Sequence, residues 1–233
     1  MKISGLQKMT LLDYPGKVAC TVFLAGCNFR CPFCHNSELL DGTAEEVMER
    51  EEFLQFLERR KGLLDAVCVS GGEPTLQPDL PGFLERIKAM GFAVKLDTNG
   101  SRPHVLKELV NRGLVDYVAM DIKNSPARYA ETAGAETDLK KLEESIRYLT
   151  GGVVDYEFRT TVLQQLHDVH SVTEMGTWVS VLAGGRKVSR WFVQPFVDRD
   201  TVMFSNLCAP DARKIYEFVD ILRGFSEETS MRG

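Results

Sequence analysis

Three of the six cysteines, Cys27, Cys31 and Cys34, fall within the run "CNFRCPFCHN". Thiolates spaced C-x3-C-x2-C point to metal chemistry. A structural zinc ion closes with four ligands, usually from two separated pairs, and no second pair exists here. His35 directly follows Cys34, so both would have to fold onto one ion; Cys20 is the other nearby candidate. An electron-transfer cluster of ferredoxin type needs four protein thiolates, and no fourth cysteine lies in the right neighbourhood. Three thiolates on one tight loop instead fit three corners of a 4Fe–4S cube and leave one iron open, as an open catalytic metal position does. Cys20 and Cys68 lie in apolar runs and read as buried small hydrophobes; Cys208, in "NLCAP", is unassigned.

A second group of polar residues stands at the ends of apolar runs: Ser70, Glu73, Asp97, Thr98, Asn99, Asp121 and Lys123. In "VVDYEFRTTV", Asp155, Glu157, Arg159 and Thr161 share one face of a strand, because side chains alternate with period 2. The histidines are less informative. His104 follows Pro103 at a helix start and reads as a surface residue, and His167 and His170 have no third ligand nearby in sequence.

These residues must be positioned by a repeat of helix, glycine and strand. Helical stretches 44–61, 79–90, 103–112 and 138–150 end at Gly62, Gly91, Gly113 and Gly151-Gly152, and a β-rich run follows each. Glycine just past a helix is the common left-handed cap, and strands alternating with helices predict a parallel sheet. In the first helical stretch Val47, Phe53, Leu54, Phe56 and Leu57 form the apolar face. With a strand near 18–25, a helix near 169–183, a strand near 190–196 and a helix near 210–223, the count is six β/α units. The expected fold is α/β, a partial (β/α)6 TIM-like barrel with the cysteine loop after its first strand. Polar residues at the C-terminal strand ends place the site at the barrel's C-terminal mouth. One domain over 1–233 is expected, with segment 1–17 preceding the barrel.

Composition narrows the classes. A net charge of −5 gives no electrostatic basis for nucleic acid or a membrane surface. No apolar run approaches the ~20 residues of a spanning helix, and "MKISG" opens no signal peptide, so a cytoplasmic protein is expected. In that reducing compartment cysteines are ligands or buried residues before they are disulfides.

The motifs together resemble the radical S-adenosylmethionine (SAM) superfamily. Its cluster loop is C-x3-C-x-aromatic-C, and Phe33 supplies the aromatic residue. "SGGEP" at 70–74 resembles the segment after the second strand that meets the methionyl amino group. "DTNG" at 97–100, "DIK" at 121–123, "DYPG" at 13–16 and Arg159 resemble the glycyl-radical-enzyme activating branch, closest to activating proteins of anaerobic ribonucleoside-triphosphate reductase. Two departures stand out. Val197 takes the place of a histidine that related activases carry near the adenosyl group, with Gln194 as a substitute. Residues 37–62 contain no cysteine, so no ferredoxin insert and only one cluster are expected.

The resemblance implies that Cys27, Cys31 and Cys34 hold a 4Fe–4S cluster whose open iron chelates SAM. Gly71 and Gly72 then allow close backbone approach. Glu73, Asp97, Asn99 and Asp121 bind the amino group or ribose, and Lys123 and Arg159 pair with the carboxylate. It further implies reductive cleavage of SAM, a glycyl radical set on a partner enzyme, and a flavodoxin or ferredoxin as reductant. Three rival functions share parts of this pattern: an activase of another glycyl radical enzyme, of pyruvate formate-lyase type; a small-molecule radical SAM enzyme of the 7-carboxy-7-deazaguanine synthase type; and a cluster-bearing electron carrier.

Overall fold

In the computed structural model, which describes residues 1–232, the strands and helices follow one another in the expected alternation. Two units are distinguished. One comprises Met1–Asn28, Glu38–Thr98 and His104–Ala119; the other comprises Phe29–Ser37, Asn99–Pro103 and Met120–Gly233.

The first unit opens with β1 (Ile3–Thr10), antiparallel to β2 (Ala19–Leu24), with Leu6 opposite Val22. The helix α1 (Arg50–Glu58) leads to β3 (Ala66–Gly71), and α2 (Leu80–Ala89) leads to β4 (Ala93–Thr98). After α3 (Pro103–Asn111) comes β5 (Tyr117–Asp121), whose last two residues belong to the second unit. Within the unit the strands lie in chain order, and β2, β3 and β4 pair in parallel. Val22, Val67, Val69, Val94 and Leu96 are fully buried, as strands covered on both faces require. Phe53 of α1 packs on Phe83 of α2 with ring centroids 5.6 Å apart. Each such ring, fully buried, contributes roughly 1.5–3 kcal/mol.

A register row of small residues, Ala19, Ala66 and Ala93, crosses β2, β3 and β4 near their N-terminal ends. The space that three methyl groups leave is taken by Tyr14, which packs on Ala19, Ala66, Cys68 and Tyr117 and is 4% exposed. The "DYPG" run therefore also has a packing role, with Tyr14 as a plug under the strands.

The second unit continues through α4 (Tyr129–Ala133), α5 (Leu139–Thr150), β6 (Asp155–Val162), α6 (Val169–Leu182), β7 (Val188–Pro195), α7 (Ala212–Arg223) and β8 (Ser226–Met231). The strands β6, β7 and β8 pair in parallel and in chain order. Aspartates start three of the helices by accepting from backbone N–H groups: Asp138 from Lys140, Asp168 from Ser171 and Asp211 from Lys214. Such caps satisfy donors that the first turn leaves open. Trp191 of β7 lies edge-on to Phe158 of β6 at 5.7 Å, and its indole N–H donates to Thr160 Oγ1 at 3.0 Å.

The α/β class with a mostly parallel sheet is as expected, and all six β/α units are present. The first helix is shorter than the predicted 44–61, because the chain enters it only at Arg50. Val47 is consequently not part of its apolar face; it is 58% exposed, and its N–H donates to Ile3 O at 2.9 Å. Three elements were not anticipated: β1, the short α4 and β8.

Candidate active site

In the first unit, the carbonyl of Gly26 accepts from Glu73 N at 2.8 Å, and Cys27 N donates to Leu40 O at 3.0 Å. Gln77 Nε2 reaches Ala25 O at 2.7 Å. The residues leading to Cys27 are thus bonded on two sides, one of them the Gly71-Gly72-Glu73 turn. Glu73 is fully buried, and its Oε1 accepts from Thr75 N at 3.1 Å, from the Thr75 hydroxyl and from Thr98 Oγ1 at 2.9 Å. Much of this carboxylate's accepting capacity shapes its own turn. Asp97 accepts from Ser70 Oγ at 3.1 Å on one oxygen and from Lys95 Nζ on the other.

Lys95 was missed by the sequence reading. It is 1% exposed, mid-strand in β4, and on the face of Asp97 two residues on. A lysine at that parity inside an otherwise apolar strand was the available signal.

In the second unit, Cys31 is buried and Cys34 half-buried, joined by a turn in which Cys34 N donates to Cys31 O at 3.1 Å. Burial pushes both thiols up; the neighbouring Lys123 ammonium opposes it at Cys31, and the backbone of Asn36 followed by Lys123 opposes it at Cys34. Asp121 stands between two cations, Lys123 Nζ at 2.9 Å and Arg159 Nε at 3.1 Å. Burial alone would favour a neutral Lys123 amine, but Asp121 and Cys31 hold its pKa well above the usual lysine value. Lys123 Nζ also lies 5.9 Å from the ring centre of Phe33. An ammonium and a guanidinium side by side are the groups that pair with an anionic ligand group.

Asn99 is buried, with its Oδ1 accepting from Ser101 N at 3.0 Å. On the polar face of β6, Glu157 is fully buried and accepts from Arg232 Nη1 at 2.8 Å. The remaining candidates are placed away from metal chemistry. His35 Nε2 donates to Val197 O at 2.6 Å, and its ring stacks on Phe196. His104 is exposed. His167 is buried while His170 is exposed and faces Glu174 at 3.3 Å, so the two do not pair around an ion. His167 Nε2–H donates to Lys123 O at 2.9 Å, and Nδ1 accepts from Leu163 N at 3.2 Å. It therefore supports the backbone of Lys123, a role its spacing to His170 did not suggest. Cys20 and Cys68 are fully buried, and burial pushes each thiol up to about 12. Cys208 is exposed and hydrogen-bonds Gln164 and Gln165. Val197 has an exposed side chain.

None of the six cysteines forms a disulfide. Among the described residues no three or more His, Cys, Asp or Glu side chains gather closely enough to hold a single metal ion.

A family model described as the radical SAM superfamily matches residues 21–164, which contain the cysteine loop and the strand ends just described. The chain belongs to the radical SAM superfamily. Members of this superfamily use a 4Fe–4S cluster and SAM. The donor chemistry here fits them. The loop offers three unbridged thiols, and the adjacent imidazole is engaged by a carbonyl. The thiolates of a cube also bind separate irons, which places them further apart than ligands of one ion.

Over 99% of its length this radical SAM chain is 30% identical to a Methanocaldococcus jannaschii protein named "Putative glycyl-radical enzyme activating enzyme", 95% of which is covered. A 7-carboxy-7-deazaguanine synthase of Thermococcus kodakarensis is 29% identical over 47% of the chain and 51% of its own length. The fold is shared with a domain of the pyruvate-formate lyase-activating enzyme of Bacteroides vulgatus. That comparison gives a TM-score of 0.58 at 17% identity, covering 72% of this chain and 99% of the other.

Proposed function

We propose that this radical SAM enzyme activates a glycyl radical enzyme, setting the radical on a glycine of an anaerobic ribonucleoside-triphosphate reductase. The observation carrying this reading is the end-to-end correspondence with a relative named as an activating enzyme. The match to the deazaguanine synthase stops at about half of either chain. The "DYPG", "DTNG" and "DIK" runs at 13–16, 97–100 and 121–123 support the same branch.

Cys27, Cys31 and Cys34 would hold the cluster, and the cluster with SAM supplies the electron and the hydrogen-abstracting chemistry when bound. The chain's own residues bind and orient. Lys123 and Arg159, held side by side on Asp121, would pair with the SAM carboxylate. Gly71 and Gly72, whose missing side chains admit the backbone of Leu24 and Gly26, would present their own backbone to the methionyl group, and Glu73, Asp97, Asn99 and Asp121 would offer acceptors to its amino group and ribose. Lys95 and Ser70 fix the orientation of Asp97. We place the reaction in the cytoplasm with a flavodoxin or ferredoxin as donor; among the described residues no helix is long and apolar enough to cross a membrane.

The test is anaerobic incubation of the reconstituted chain with reductant, SAM and the reductase. A glycyl-radical EPR doublet is expected. SAM cleavage without a doublet on any glycyl radical enzyme would overturn the activase reading in favour of a small-molecule substrate. No SAM cleavage would reduce the protein to an electron carrier.

A further inference from the structure

Two glycines bear on the backbone just ahead of two of the clustered cysteines. In the first unit, a Cβ on Gly72 would stand 2.2 Å from the oxygen of Gly26, the carbonyl preceding Cys27. In the second unit Gly134 repeats this arrangement on the carbonyl preceding Cys31. A Cβ there would stand 2.0 Å from Arg30 O, 2.6 Å from its carbonyl carbon and 3.3 Å from Cys31 N. Backbones can approach this closely only where no side chain begins. Gly72 belongs to a motif visible in the sequence; Gly134 belongs to none.

The contact at Gly134 is part of a brace. Arg30 N donates to Ala133 O at 2.8 Å, so α4 both bonds and abuts the chain leading into Cys31. The helix is itself anchored. Tyr129, fully buried, donates its hydroxyl to Asp121 O at 3.3 Å, and Asn124 Nδ2 donates to Thr132 Oγ1 at 2.9 Å.

We propose that Gly134 is a positioning residue for the iron–sulfur cluster: its missing side chain lets α4 seat against Arg30 and so sets how Cys31 presents its thiolate. This rests on the reading of Cys27, Cys31 and Cys34 as cluster ligands. Gly134 also ends α4 in the left-handed region, at φ 61° and ψ 24°. Asparagine separates the two roles. It adopts that conformation at a helix end, but it carries the Cβ that the Arg30 carbonyl excludes. Gly152 provides the control, with φ 75° and nothing within 4 Å of its would-be Cβ.

Wild type, Gly134→Asn, Gly134→Ala and Gly152→Asn are reconstituted anaerobically with iron and sulfide. Iron and sulfide per chain are measured, with the rate at which a ferrous chelator removes the iron; circular dichroism checks the fold. Gly152→Asn is expected to match wild type. Both Gly134 variants are expected to keep their fold and to lose iron about tenfold faster, the scale of a lost supporting contact at a metal site. Gly134→Asn loading and holding iron like wild type overturns the proposal. If the Gly134 variants do not fold, amide exchange of the wild-type apo chain decides. The Arg30 amide should exchange roughly tenfold or more slowly than exposed loop amides, and free exchange refutes the brace. A wild-type chain that takes up no iron refutes the ligand reading instead, while the exchange experiment still judges the contact.

Discussion

Acid should destabilise the apo chain through one buried group, His167. Its ring is 1% exposed, donates from Nε2 to Lys123 O and accepts at Nδ1 from Leu163 N–H. Protonating Nδ1 would set two donors face to face in a site closed to solvent. Burial, chiefly, lowers the pKa from 6.5 to about 4. Below pH 6.5 the unfolded chain binds a proton that the native chain refuses until about pH 4. The stabilisation is therefore complete above 6.5 and is lost as the pH falls through that window. At about pH 5 the loss is RT ln[(1 + 10^1.5)/(1 + 10^−1)], or about 2 kcal/mol, and it approaches about 3 kcal/mol below pH 4. The assay is urea unfolding of the reduced apo chain and of His167→Gln at about pH 7.5 and about pH 5. Glutamine removes the titration, and by disturbing buried hydrogen bonds should cost roughly 1–2 kcal/mol at the higher pH. That gap between variant and wild type should close by about 2 kcal/mol at the lower pH. A gap of the same size at both pH values would refute the argument, since other titrating groups are common to both proteins.

Replacing Cys27, Cys31 or Cys34 by alanine should each abolish cluster absorbance and iron retention, whereas Cys208→Ser and His35→Ala should keep iron, measured per chain after anaerobic reconstitution. Lys123→Met should weaken SAM binding by roughly tenfold or more, the scale of a lost charge-assisted hydrogen bond, read as a raised KM for SAM with the cluster retained. Tyr14→Ala should lower stability by roughly 3–5 kcal/mol through the cavity it opens, whereas Tyr14→Phe should cost far less; equal losses in denaturant unfolding would contradict the packing role.

The parts legible in the sequence were those written in strong local code. Glycines 62, 91, 113 and 152 all take positive φ, and each stands between a helix and the next strand as the repeat predicts. The strand-end residues Asp97, Asp121 and Lys123 stood out because they interrupt apolar runs. The strand β8, "SEETSM", carries no apolar alternation, and β1 pairs through register shifts near Gly5 and beyond Gln7 that blur its period. The helix α4 has five residues, too few for a periodic signal, and its close approach to Arg30 joins positions about a hundred residues apart. His167 was weighed only against His170, its neighbour in sequence. Its true partner is the backbone of Lys123, which periodicity cannot disclose.

The acidic composition of β8 has a colloidal consequence. The strand ends the order of the sheet, so its outer row of backbone donors and acceptors could template pairing with another chain. Glu227 and Glu228 are exposed along it, and Glu228 meets Arg190 at 3.4 Å. Two such carboxylate-bearing edges repel when they approach. Concentrated protein should therefore stay dispersed, and replacing both glutamates by alanine should make it sticky, which makes storage a matter of strand chemistry as much as of keeping oxygen out.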